Sequence, residues 1–149
     1  MATINEQLSI KGEVTIIKYD IDGNITDKRK IPNMVVTAGK NFIASRIIQA
    51  TSGVMSHMGI GTSSTSAIVG QTILEAQAVN RVALTSSSVS LNVITYVATF
   101  GAGVSTGSIQ EAGIFNDVTA GTMLCRTTFP VVVKAIGDSI VITWVITVS

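Results

Sequence analysis

The stretch Ser139–Val148 reads SIVITWVITV and alternates two sets of side chains. Successive side chains of a β-strand point to opposite faces, so Trp144 falls on one face and Thr143 and Thr147 fall on the other. We predict a strand whose first face lies in the core, with Trp144 as the central aromatic residue. The predicted core face consists of Ile142, Trp144, Ile146 and Val148.

Strand composition continues upstream of this stretch, as far back as residue 81. Runs rich in Val, Ile, Thr and aromatic residues alternate with glycine-containing turns. About five strands at near-regular spacing are typical of a sandwich or barrel. We therefore predict a mainly β fold, an antiparallel β-sandwich of jelly-roll-like type. The other four runs are Arg81–Ser86, Asn92–Phe100, Ile109–Phe115 and Met123–Val133.

The N-terminal part of the chain predicts a β-hairpin followed by a short helix. Leu8–Ile31 contains two strand-like runs around Asp22-Gly23, where the glycine can adopt the positive φ of a tight turn. Pro32 ends the second run, since proline cannot donate to a strand ladder. Residues 1–35 could form an arm or hairpin that contacts a partner.

The predicted helix covers residues 37–50, with Thr37 as a candidate N-cap. Its apolar residues recur at the spacing of one helix face. Thr72–Ala78 is ambiguous between a helical turn and an extended run. The apolar residues of the helix face are Phe42, Ile43, Ile47 and Ile48.

The length and composition predict one domain, residues 1–149, with an unusually neutral surface. Charged residues make up 13% of the chain and hydrophobic residues 46%, against about 25% charged in an average soluble chain. Such a surface favours burial against other copies or partners. The alternative is that Thr and Ser are simply suitable exposed strand residues. The candidate core residues are Phe42, Ile47, Phe100, Phe115, Phe129 and Trp144.

Several classes of partner are disfavoured by the sequence. A net charge of +1 argues against a nucleic-acid surface, which needs clustered Lys and Arg. No apolar stretch approaches the roughly 18 residues of a membrane-spanning helix. Residues 1–30 lack a secretory signal pattern, so we expect the protein to fold where it is made.

Catalytic and metal-binding residues are sparse. Cys125 and His57 are the only residues of their types, and a catalytic thiol would need a histidine and an orienting partner. The carboxylates are scattered, without the spacing of a transition-metal site. We predict no enzyme activity, no cofactor, no metal and no small-molecule substrate, and we expect Cys125 to be a core residue.

Two acidic residues, Glu75 and Glu111, have no sequence neighbour that would form a general acid–base pair with them, and we predict structural ion pairs for them. Glu111 precedes Ala112-Gly113 in an apolar run, where a buried carboxylate would need a charged partner. The candidates are Glu75 or Glu111 on the acidic side and Arg81 or Arg126 on the basic side. The sequence leaves the pairing open.

Several segments resemble a group of small virion proteins of tailed bacteriophages, in order and spacing over about residues 36–148. The resemblance leaves residues 1–35 uncovered. The segments are Val36–Arg46, His57–Thr62, Arg81-Val82, Tyr96–Phe100, Ile109–Asn116, Gly121–Phe129, Gly137-Asp138 and Ile142–Trp144.

The resemblance implies a structural protein present in many copies on a phage particle. The first expectation is a capsid cement or decoration protein, a homotrimer or similar oligomer that binds the major capsid protein on the virion surface after assembly in the host cytoplasm. The alternative is a subunit of a tail or head fibre involved in host attachment. A fibre would more often be elongated with repeats, and this chain has no fixed repeat, which favours cement.

Overall fold

The computed structural model describes residues 3–48 and 53–149. These residues form one helix and ten strands, and the strands are arranged in two antiparallel sheets of five. The predicted β-sandwich is therefore confirmed. In chain order the elements are β1 (Ile10–Tyr19), β2 (Ile25–Pro32), β3 (Met34–Val35), α1 (Thr37–Ile48), β4 (His57–Gly61), β5 (Val82–Ala83), β6 (Ser86–Ser90), β7 (Val93–Phe100), β8 (Gly107–Phe115), β9 (Met123–Lys134) and β10 (Ser139–Val148).

The first sheet has the order β2-β1-β10-β7-β6, and the second has the order β3-β9-β8-β4-β5. β10 is central in the first sheet, where Trp144 lies opposite Val14 of β1 and Tyr96 of β7. The alternation predicted for β10 is confirmed, because its even-numbered residues from Ile140 to Ile146 are buried.

The core lies between the two sheets and contains side chains from both. Phe100, Phe115, Phe129 and Trp144 are buried as the sequence predicts. Phe115 belongs to a smaller cluster on the second sheet, with Val36, Leu74 and Met123. The main cluster includes Val14, Ile16, Ala98, Ile142 and Trp144 from the first sheet, and Met58, Ile60, Ala112, Ile114, Cys125 and Val132 from the second.

The N-terminal hairpin is an integral part of the sandwich. β1 pairs with β10 over its full length and contributes Val14 and Ile16 to the core. Gly23 in the turn has φ of 83°, as expected for a tight hairpin. Of the residues predicted as an arm or hairpin, 1–35, the hairpin lies within the sheet. Residues 3–9 lie outside the sheet and are exposed throughout.

α1 begins at Thr37 and packs against β9 through its first half. The backbone N–H of Lys40 donates to the carbonyl of Val36, so the residue before the helix is Val36, and Thr37 is not the N-cap. A Cβ at Gly39 would overlap the backbone of Leu124, so only glycine permits this approach. The predicted last residues of the helix, 49 and 50, lie outside the described residues.

One predicted core residue of α1 is wrong. Phe42 and Ile43 are half-buried against the core, but Ile47 is 81% exposed. The helical periodicity correctly places Ile47 on the same face as Ile43. However, no described element covers the last turn of the helix, and Ile48 is exposed as well.

Two connecting regions differ from the predicted strands. Of the run Arg81–Ser86, only Val82–Ala83 (β5) and Ser86, the first residue of β6, are in strands. The remaining residues of β6 were not predicted as a strand. Thr72–Ala78 is neither a helix nor a strand, apart from one bridge between Gln77 and Gly61. Within the described residues, no helix combines the length and apolarity that crossing a membrane would require.

Candidate functional site: a buried ion pair and an exposed apolar surface

The second sheet contains a fully buried ion pair between Glu111 of β8 and Arg126 of β9. Glu111 lies opposite Thr128 and Arg126 lies opposite Gly113, so the two side chains are diagonal neighbours on one face. Arg126 Nε donates to Glu111 Oε2 at 2.9 Å, and Nη2 lies 2.8 Å from the same oxygen. Of the four candidate residues for structural ion pairs, these two come together.

The ion pair holds the irregular segment 62–81 against the sheet. The backbone N–H groups of Glu75 and Ala76 donate to the two carboxylate oxygens of Glu111, at 3.1 and 2.7 Å. Arg126 Nη1 donates to the carbonyl of Thr65 and to Gln71 Oε1, at 2.9 and 3.0 Å. A buried charge pair is tolerated when further hydrogen bonds satisfy its polar atoms. This segment supplies four of them, to the two Glu111 oxygens and to Arg126 Nη1, whereas Arg126 Nη2 has only its ion-pair contact with Glu111.

Glu75, the other acidic candidate, does not pair with an arginine. Its side chain is exposed and accepts a hydrogen bond from Gln71 Nε2 at 2.7 Å. Gln71 thereby links Glu75 to Arg126, and its Oε1 also accepts from the N–H of Ile68. Gln71 was not predicted, because a single glutamine carries no periodic signal.

Arg81, the other basic candidate, binds a loop through backbone carbonyls. Its guanidinium lies 3.4 Å from the ring centroid of Phe115 and donates to the carbonyls of Asp117 and Ala120. Burial lowers the pKa of Arg81 from its ordinary value, and the nearby Asp117 carboxylate opposes this shift. The two arginines thus have parallel roles, since each fixes one connecting segment to the second sheet.

The described residues contain no group of three metal-ligating side chains. Cys125 is fully buried, and desolvation raises the pKa of its thiol well above the ordinary value of 9.0, so the reactive thiolate is disfavoured. His57 Nδ1 lies 2.8 Å from Ser56 Oγ on the neighbouring residue. Lys134, which was not predicted as a site residue, is buried and donates to the carbonyl of Gly101 at 2.8 Å.

Many large aliphatic side chains of the described residues are exposed instead of buried. This set contains sixteen residues, spread over the N-terminal segment, the helix, the strands and the loops. Where exposed apolar side chains of this kind lie side by side, they form a surface that other molecules can cover. The exposed residues are Ile4, Leu8, Ile21, Ile25, Ile47, Ile48, Val54, Ile68, Val69, Ile73, Val89, Leu91, Val118, Val131, Val133 and Ile136.

Two grooves lie within this apolar surface. The first, of about 520 Å³, lies between the N-terminal segment and α1 and is lined in part by Leu8 and Ile47. The second, of about 260 Å³, lies beside β6 and is lined in part by Val54, Val89 and Tyr96. No charged side chain lines the second groove.

The outer strands of the two sheets differ in how they are protected from pairing with other chains. β3 and β5 have only two residues each, and β2 has four consecutive charged residues, 27–30, and ends at Pro32. Short length, charge and proline are the common protections of sheet edges. β6, with the sequence SSSVS, has five exposed residues and none of these protections.

Comparison of the chain with protein-family models, with curated proteins and with solved structures finds no match.

Proposed function

We propose that this chain is a structural protein of a tailed-phage particle, a capsid cement or decoration protein that binds the lattice of the major capsid protein. Its role is to bury surface between shell subunits, without catalysis. The observation that carries the proposal is the set of sixteen exposed large aliphatic side chains on a folded sandwich. The resemblance of residues 36–148 to small phage virion proteins supports the placement on a phage particle.

The charge distribution supports the same role. Residues 47–149 contain only seven charged side chains, and two of these, Glu111 and Arg126, are buried against each other. Apolar burial contributes about 25 cal/mol per Å² of surface removed from water. A neutral surface with many exposed aliphatic groups is unfavourable for a free monomer and favourable for a subunit inside an assembly.

The mechanism of stabilisation follows from mass action. A protein that binds the closed shell and not the opened shell shifts the equilibrium toward the closed shell. The sandwich is suited to this role because the Glu111–Arg126 pair and Arg81 hold its connecting segments in fixed positions. Rigid loops lose little conformational entropy when they bind.

The position on the particle can be tested by electron microscopy of purified particles labelled with gold-conjugated antibody against this chain. We expect label distributed over the icosahedral shell. Label confined to the tail tip or to fibres would overturn the cement role in favour of an appendage subunit, and unlabelled particles would overturn the virion assignment altogether.

The stabilising role can be tested separately with particles that lack the chain. We expect such particles to open at a lower temperature and to be more sensitive to low ionic strength than complete particles, with re-addition of the purified protein restoring resistance. Equal resistance of the two kinds of particle would contradict the cement mechanism.

A further inference from the structure

We propose that β6 accepts the N-terminal segment of a second copy of this chain as an added strand, so that copies join head to tail. The acceptor is the outer edge of β6 (Ser86–Ser90), and the donor is the segment 3–8. This inference rests on the proposed function, in which copies of the chain pack together, and it names the interface through which they do so.

The acceptor has an open hydrogen-bonding edge. β6 pairs with β7 on one side only, from Ser86 opposite Val97 to Ser90 opposite Val93. Its other side has unpaired backbone groups, which are a template for an incoming strand. Within the described part of the chain, it is the only outer strand longer than two residues that has neither charge nor proline.

The acceptor edge also lies beside an apolar groove. On the inner face of the first sheet, Val89 lies opposite Ile94 and Ser87 lies opposite Tyr96. Val89 is 72% exposed, so its side chain is largely uncovered. A strand added to β6 with apolar side chains on this face would extend the row of Ile94 and Val89 and cover the groove.

The donor segment has the matching pattern. Residues 3–8 are exposed and lie outside the sheets, and no hydrogen bond joins them to the described residues. Ile4 and Leu8 are four residues apart, so both fall on one face of an extended strand, with Glu6 between them. In an antiparallel pairing with Ile4 opposite Val89, Glu6 lies opposite Ser87, whose hydroxyl can donate to its carboxylate.

Geometry requires that the donor come from a second copy. Ser9 is fixed to Ser149 by two backbone hydrogen bonds of 2.6 and 2.8 Å at the end of β10. A strand added to β6 lies four strand spacings from β1, or about 19 Å. Ile4 is five residues from Ser9 and reaches at most about 18 Å, so in this register the segment cannot pair with β6 of its own chain.

The interface is heterologous, because donor and acceptor are different surfaces of the same chain. Such an interface forms a closed ring when the rotation between copies permits it. A ring formed in this way would need no separate self-complementary patch.

The experiment uses two full-length variants that each disable one half of the interface. The double substitution Ile4→Glu and Leu8→Glu disables the donor. Val89→Glu disables the acceptor, because it places a negative charge in the groove and opposite the acidic donor. Ile21→Glu is the matched control, since Ile21 is also exposed but lies in the β1–β2 turn.

The readout is molar mass by sedimentation velocity, on folded samples verified by circular dichroism. We expect the unaltered protein and the Ile21→Glu control to form the same oligomer, and each interface variant to be a monomer. An equimolar mixture of the two interface variants retains one intact donor and one intact acceptor, so we expect a one-to-one dimer.

Three results would overturn the interface: a monomeric unaltered protein up to its solubility limit, an interface variant that retains the oligomer, or a mixture that stays monomeric. If Val89→Glu fails to fold, Ser88→Lys tests the same edge with a charge of the kind that protects natural edges. The experiment uses the isolated protein, so its failure is distinguishable from a failure of the particle labelling that tests the proposed function.

Discussion

Arg126 Nε donates to Glu111 Oε2 at 2.9 Å in a position where neither side chain is exposed to solvent. The same carboxylate accepts two backbone N–H groups from the segment 62–81. A charge pair inside the second sheet therefore determines where a surface segment lies.

Removal of one charge from this pair should be strongly destabilising. We expect Glu111→Gln to lower the free energy of unfolding by about 3–5 kcal/mol, because Arg126 would be left as an uncompensated buried charge. Denaturant titration measures the change. Glu75→Gln is the control, since Glu75 is exposed and forms no ion pair among the described residues, and its effect should stay within about 0.5 kcal/mol. Unchanged stability of Glu111→Gln would contradict the structural role of the pair.

A second test addresses the close approach of the segment to the sheet. A Cβ at Gly61 would overlap the carbonyl of Ala76 and the carboxylate of Glu111. We expect Gly61→Ala to destabilise the fold by about 1–3 kcal/mol and to increase proteolytic cleavage within residues 62–81. Gly70→Ala is the control, because its Cβ would meet no atom within 4 Å. Equal cleavage rates in the two variants would show that the segment does not depend on the contact at Gly61.

The hairpin loop between β6 and β7 contains local backbone strain. Leu91 has φ of 52° and is 97% exposed, although a non-glycine residue in this region costs about 1–2 kcal/mol. We expect Leu91→Gly to raise the free energy of unfolding by up to about 1 kcal/mol, since the entropy cost of glycine offsets part of the gain. Leu91→Ala removes the same exposed side chain and keeps the Cβ, so it should give no gain. A gain of equal size with alanine would show that the exposed side chain is the cause, with no contribution from backbone strain.

The hydrogen bonds in the turn of the N-terminal hairpin predict that the free energy of unfolding depends on pH in the acid range. The backbone N–H of Asn24 is the largest cause that lowers the pKa of Asp20 below its ordinary value of 3.8, and the N–H of Asp22 contributes in the same direction. At pH values between the folded and the unfolded pKa of Asp20, the unfolded chain binds more protons than the folded chain. The stabilisation that these hydrogen bonds give is therefore present above about pH 4 and is lost as the pH falls through the folded pKa.

We expect Asp20→Asn to flatten the acid dependence of unfolding, measured by denaturant titration between neutral and acidic pH. Asp22→Asn is the control, because the Asp22 carboxylate accepts no hydrogen bond within the described residues. An acid profile of Asp20→Asn identical to that of the unaltered protein would contradict the assignment.

The fold was largely predictable because the long strands are rich in Val, Ile, Thr and aromatic residues and are separated by glycine-containing turns. β10 shows this best, since its buried residues follow the period of two through Trp144. β6 was not predictable, because all of its five residues are exposed and its run of serines has no buried face. The position of Ile47 was not predictable either, since periodicity assigns a helix face but does not indicate where the covering sheet ends.

The buried pair was predictable in part. A carboxylate between apolar neighbours indicated that Glu111 needs a cation, but the choice between Arg81 and Arg126 depends on the strand register, which a single sequence does not give. Arg126 is diagonal to Glu111 across β8 and β9, whereas Arg81 lies over Phe115 and binds backbone carbonyls. The open edge of β6 and the groove beside Val89 could be identified only from the three-dimensional arrangement of both sheets.

The central claim, that many copies of this chain cover a phage shell, is tested most directly by the copy number per particle. Quantitative mass spectrometry of purified particles, with the major capsid protein as the internal standard, gives this number. The proposal predicts a fixed, stoichiometric ratio to the major capsid protein, consistent with sites repeated over the lattice. A few copies per particle, or none, would contradict it.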